Sequence, residues 1–271
     1  MNPWIIGLGI AMVAAGASKG VSGMVDTSIF GRIFDWSRQA AFTAALPSVL
    51  RPYAQYFLSA GRAYSIDPWM LAGICYRESL GGTRLTPPGP GGTGDFTPRG
   101  PTSRYFQYAN PNTGLPNDGQ GGWGRGLMQL DYGAENAWVT THDWRDPQVS
   151  LNRAAEILAG RYAYFVSSPS SGVQVDCWRI TTGMPQIGVS PWQSKYPGTY
   201  PTCTNGKTVP LQDPRPLADV RLHEAVLASY NAGAAGVLQA LAMGLPAEAV
   251  TAGQDYVSFL AARIATWNQK F

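Results

Sequence analysis

The apolar positions of this chain recur at helical spacing along most of its length. Between Met24 and Ala63, the residues Phe30, Ile33, Phe34, Phe42, Leu46, Leu50, Phe57 and Leu58 follow mostly helical intervals, interrupted by Pro47 and Pro52, which predicts two or three helices. Asp67-Pro68 then reads as a helix start, because an Asp side chain can accept the free amides of a first turn and Pro fits the first helical position. In the helix so begun, Leu71, Ile74, Cys75 and Glu78 fall on one face, and Gly81-Gly82 marks its end. A carboxylate therefore shares the apolar stripe. Leu151, Ala155, Leu158, Tyr162 and Phe165 form a later stripe, and Leu222, Val226 and Tyr230 another. A last helix is expected to carry Tyr256, Phe259, Leu260, Ile264 and Trp267. Alternating runs of strand length are missing, so the fold is expected to be mainly α, with at most a small β element in a loop.

Two stretches break the helical pattern. Residues 83–122 are dominated by Gly, Pro, Thr, Asn and aromatic side chains, and residues 167–216 are rich in Pro. Both are expected to be loop insertions in a domain over 54–271, preceded by a helical extension over 24–53 and an apolar leader over 1–23. The leader carries no charge before Lys19; a signal peptide, a short anchor and a buried helix all fit it, and as an anchor it would touch a membrane or a virion assembly.

Composition adds several exclusions. The 271 residues suit one sizeable core. Charged residues make up 14% of the chain, against roughly 25% in an average soluble domain. With 32 Gly and 21 Pro, much of the rest must be loop. The formal charge is +3 and no run of Lys or Arg could follow a phosphate backbone, so nucleic acid is not an expected partner. Cys75 lies within an apolar helical pattern and reads as a small buried hydrophobe. Cys177 and Cys203 bracket a Pro- and Gly-rich stretch with little else to hold it; a disulfide between them would imply an oxidising compartment, and unpaired thiols are the alternative. These cysteines, with the distant His142 and His223, do not make a metal set at usable spacing. Asn110-Pro111-Asn112 is a poor substitute for a calcium loop, and no cofactor is expected.

The chemistry-bearing segments are Arg77-Glu78-Ser79, then Gly122 to Asp131 (Gly-Trp-Gly-Arg-Gly-Leu-Met-Gln-Leu-Asp), then Ala228-Ser229-Tyr230-Asn231-Ala232-Gly233, and last Gln254-Asp255-Tyr256-Val257. In order and separation they resemble the lysozyme-like superfamily of soluble lytic transglycosylases and goose-type lysozymes, over roughly 54–267 apart from the two insertions. The resemblance implies a lysozyme-like (α+β) catalytic domain that cuts the β-1,4 bond between N-acetylmuramic acid and N-acetylglucosamine in peptidoglycan strands. It implies Glu78 as proton donor, with Ser79, Met128, Gln129, Tyr230, Asn231 and Tyr256 touching substrate, and it places the chain outside the cytoplasm as a periplasmic, secreted or virion-associated enzyme.

Glycosidic cleavage needs a proton on the leaving oxygen, and a carboxyl keeps that proton at neutral pH only where its surroundings raise its pKa. A Glu on the apolar face at a helix end can be both desolvated and open to a groove. The structural alternative is a Glu paired with an internal cation such as Arg77 or Arg125. Asp131 separates two reactions. Goose-type lysozymes resemble this chain in an Asp after the Gly-Leu-Met-Gln run, where acidic residues position a hydrolytic water; on that likeness Asp131 is the expected second catalytic residue. Their further Asp after Gly-Trp-Gly is replaced here by Arg125, leaving Asp118 or Asp95 to substitute. In a lytic transglycosylase, Glu78 alone would act as acid and base and yield a 1,6-anhydro product. A non-catalytic glycan-binding or structural virion protein on the same scaffold is the remaining alternative.

Overall fold

The computed structural model describes residues 34–167, 172–176 and 208–269. The leader and the Cys177–Cys203 pairing lie outside the described residues. The chain is mainly helical, with a small three-stranded antiparallel sheet.

After a 3-10 turn at Trp36–Arg38, α1 spans Gln39–Ala45 and stops at Leu46, whose extended backbone (φ −62°, ψ 145°) is what the residue before Pro47 prefers. Pro52 sits inside a second 3-10 turn, Arg51–Tyr53, and leads into α2, Ala54–Tyr64. The central helix α3 spans Pro68–Ser79, and the Asp67 carboxylate accepts from Trp69 N–H at 2.9 Å. Its end is fixed by left-handed backbone at Leu80 (φ 51°), then Gly81 and Gly82. A side chain on Gly81 would collide with the Val49 carbonyl, so this turn requires glycine for room as well as for φ.

The stripe of α3 is buried against α2 and against the last helix, α8 (Tyr256–Asn268). Gly73 lets α3 and α8 approach, since a Cβ there would stand 3.1 Å from Ile264 Cδ1. Between them in sequence come α4 (Asn136–Val139), α5 (Pro147–Val166), α6 (Asp219–Ala232) and α7 (Ala234–Ala242). Helix α5 lies against α2 and α6, and α6 in turn against α7 and α8. The core is continuous, and residues 34–53 belong to it: Phe42 is fully buried and meets Trp69 edge-on at 4.5 Å between ring centroids.

The stretch 83–122 has no helical period because it is held by turns. Arg99 N–H donates to Gly114 O at 2.8 Å, and Asn117 N–H to Tyr108 O at 2.9 Å. It contributes β1 (Thr93–Gly94), which pairs with β2 (Gly124–Arg125), itself paired with β3 (Leu130–Asp131). In the second expected insertion, β4 (Val173–Asp176) and β5 (Thr208–Leu211) form an antiparallel pair. Among the described residues no helix is long and apolar enough to cross a membrane.

Candidate active site

Glu78 stands in the last turn of α3, half-buried, with its face set by the apolar stripe behind it. Burial pushes its carboxyl above the ordinary value, while a hydrogen bond from Tyr256 and the charge of Arg77 pull the other way without cancelling it. Tyr256, at the first position of α8 and 1% exposed, donates its hydroxyl to Glu78 Oε1 at 2.5 Å. Burial, and then the neighbouring Glu78, hold the Tyr256 phenol far above its usual value, so it stays a neutral donor. With Oε1 accepting from Tyr256, a protonated Glu78 carries its hydrogen on Oε2. The cation expected as a structural alternative is engaged elsewhere: Arg77 pairs with Asp255 at 2.7 Å, and Arg125 with Asp118 at 3.0 Å.

The small sheet and the turn from Gly126 to Gln129 are joined to the helices through Tyr230. Tyr230 of α6 spans the two sides, its hydroxyl donating to Met128 O at 2.8 Å. Glu78 is also among the groups that hold the Tyr230 phenol up, after burial. Gln129 has left-handed backbone (φ 50°) and donates its amide nitrogen to Gly126 O at 2.8 Å. Its amide oxygen lies over the paired glycines Gly94 and Gly124, where a Cβ on either would clash with it. Two glycines in register thus make the slot that holds the Gln129 side chain across the sheet.

Asp131 is at the end of β3 and is strongly tethered. Its Oδ2 accepts from Arg99 Nη2 at 2.5 Å, and its Oδ1 from Arg99 Nη1 at 3.2 Å and from Ala134 N–H at 2.8 Å. Arg99 also reaches Asp95 Oδ2 at 3.3 Å and lies 3.9 Å from the centroid of the Trp123 ring. Arg99 therefore brings Asp95 beside Asp131, while Asp118 is committed to the fully buried Arg125. Sequence reading missed Arg99: it lies in an aperiodic loop, 32 residues before its partner, with no local signal.

Two of the residues expected to touch substrate have fully buried side chains. The Ser79 side chain is fully buried, donating to Cys75 O at 3.1 Å and accepting from Gly82 N–H at 3.0 Å, so it closes the helix end. The Met128 side chain is also fully buried in the core, and only its carbonyl faces the site, where Tyr230 occupies it. Asn231 is exposed at the end of α6, but its amide oxygen accepts from Ala252 N–H at 2.8 Å and so braces the turn before α8. Glu78 is joined to Tyr256, Tyr230 to the backbone of Met128 beside Gln129, and Asp131 to Arg99 on the sheet. Among the described residues no cluster of His, Cys, Asp and Glu is arranged to hold a metal ion. No protein-family model matches the chain, and no curated protein matches it in sequence.

Proposed function

We propose that the chain is a peptidoglycan-cleaving glycosidase with a lysozyme-like catalytic domain, acting outside the cytoplasm on the β-1,4 bond of glycan strands. One observation carries this reading: a half-buried carboxyl at a helix end, whose neighbouring cation Arg77 is paired with Asp255, with a neutral phenol on one oxygen and the other left to hold a proton. Such a group is a proton donor for a glycosidic oxygen. The Tyr230 link to Met128 O ties α6 to the turn that carries Gln129.

Of the two reactions, the geometry favours the one in which Glu78 serves alone as acid and then base, giving a 1,6-anhydro product. Three hydrogen bonds occupy the Asp131 carboxylate, which makes it a poor holder for a hydrolytic water. Hydrolysis with Asp131 is the second reading, supported by the proximity of Asp95 through Arg99. Replacing Glu78→Gln keeps shape and removes the acid, so lysis of purified cell walls is expected to fall by about 10²- to 10⁴-fold; undiminished lysis overturns the proposal. Mass spectrometry of products from defined glycan chains separates the readings, because the anhydro sugar is lighter than the reducing end by one water.

A further inference from the structure

Two consecutive residues at the end of α3 are joined to two consecutive residues at the start of α8. Arg77 Nη2 donates to Asp255 Oδ1 at 2.7 Å, and Tyr256 Oη donates to Glu78 Oε1 at 2.5 Å. The guanidinium of Arg77 lies against α8, 4.5 Å from the centroid of the Phe259 ring and 5.7 Å from that of Tyr256. Asp255 is turned towards it by left-handed backbone at Gly253 (φ 74°) and Gln254 (φ 54°). A Cβ on Gly253 would stand 2.9 Å from Asp255 Oδ1, so the glycine leaves room for that turn.

An arginine directly before a general acid is an awkward neighbour, because a nearby cation favours the carboxylate and so drains the proton the reaction needs. Other ionisable groups acting on or beside Glu78 are Cys75 on its own helix, Tyr256 on α8, Tyr230 on α6, and Glu135, which acts on Tyr230. Of these the cysteine and both tyrosines are neutral. Glu135 is itself paired with Arg153 at 2.6 Å, which leaves Arg77, held by Asp255, as the cation that acts on the acid.

We propose that Asp255 is a positioning residue of this site: it draws the Arg77 guanidinium onto α8, so that no cation rests on the Glu78 carboxyl, and it seats the Tyr256 hydroxyl on Oε1. The proposal builds on the reading of Glu78 as the acid. Asp255 is 48% exposed at its side chain, so Asp255→Asn is expected to fold. This variant removes an anion and frees the cation, and the alkaline limb of the lysis pH profile is expected to move to lower pH, cutting the rate on that limb about threefold, the effect of one partly screened charge. Arg77→Met is expected to move the limb the opposite way, and Arg77→Lys to keep it near its original place.

Opposite displacements support the proposal; equal rate losses with an unmoved limb, or displacements in one direction, overturn it. Titration of the Glu78 carboxyl by carbon-13 NMR, its resonance identified with Glu78→Gln, makes the same measurement without turnover. Absence of lysis by the unaltered chain would then defeat the glycosidase reading alone. The direction in which the Glu78 titration moves in Asp255→Asn and Arg77→Met would still decide the role of Asp255.

Discussion

A carboxyl that gives up hydration without gaining a cation favours its neutral form, and at Glu78 this has a cost in stability that can be measured. Below the ordinary carboxyl value of 4.5 the group is protonated in the folded and unfolded chain alike, and its burial costs nothing electrostatic. As pH rises through the raised folded value the unfolded chain binds fewer protons, so stability is lost. Glu78→Gln should therefore match the original chain in stability near pH 4 and become the more stable of the two as pH rises towards 8, read by denaturant unfolding at both. Gln129 supports a second residue-scale expectation. A methyl on Gly94 meets only the movable end of the Gln129 amide, so Gly94→Ala should change stability by less than about 1 kcal/mol while lowering lysis about tenfold; the two assays together separate a displaced amide from a damaged fold. Helical spacing put Glu78 and Tyr256 on inward faces, and only the motif resemblance singled them out as site residues. The burial of Ser79 and Met128 was not legible: their expected roles rested on the motif resemblance, and each adjoins a left-handed turn, at Leu80 and Gln129, that no periodicity reveals. The Asp255 partner of Arg77 was hidden by separation, although the Gln-Asp-Tyr-Val segment had already drawn attention to it.

The start of α3 was readable from Asp67-Pro68, and the structure adds a second Asp-Pro cap at α5, so that one sequence signal has two energetic outcomes. Asp146 is exposed and accepts from Gln148 N–H at 2.7 Å and Val149 N–H at 3.0 Å at the start of α5. Asp146→Ala should cost about 1 kcal/mol in a thermal or denaturant melt. Asp67 makes the same kind of cap on α3, but burial pushes its carboxyl up to about 7 in spite of the hydrogen bond from Trp69 N–H. Its folded value lies above the unfolded one, so its contribution is whole below about pH 4 and declines as pH rises through about 7. Asp67→Asn retains an acceptor without the charge, and its stability relative to the original chain should improve across that window. The sheet was illegible for a physical reason: strands of two residues, such as Gly124–Arg125, are too short to show alternation, and their pairing is set by glycine slots and by loop turns.

Over the whole molecule, the helices share one core that includes the residues before α2. Phe42→Ala should cost about 3–5 kcal/mol and leave a single unfolding transition, because its ring is buried against Trp69 of the central helix; a small effect, or a separate early transition, would mean that residues 34–53 fold apart from the rest. The helical content and the central helix could be read from periodicity, whereas the way the loop over 83–122 folds back to bring Arg99 to Asp131 could not, since each of its hydrogen bonds depends on turns with no period. Cys75 lies on that central helix, one turn before the acid, fully buried, with burial pushing its thiol up to about 12. Such a sulfur is invisible to alkylating reagents while the helices stay closed. In a chain with Cys177 and Cys203 replaced by Ser, the rate at which Cys75 is alkylated becomes a clock for the opening of the protein directly beneath the Glu78 carboxyl, and any ligand that binds only the closed helices would slow it.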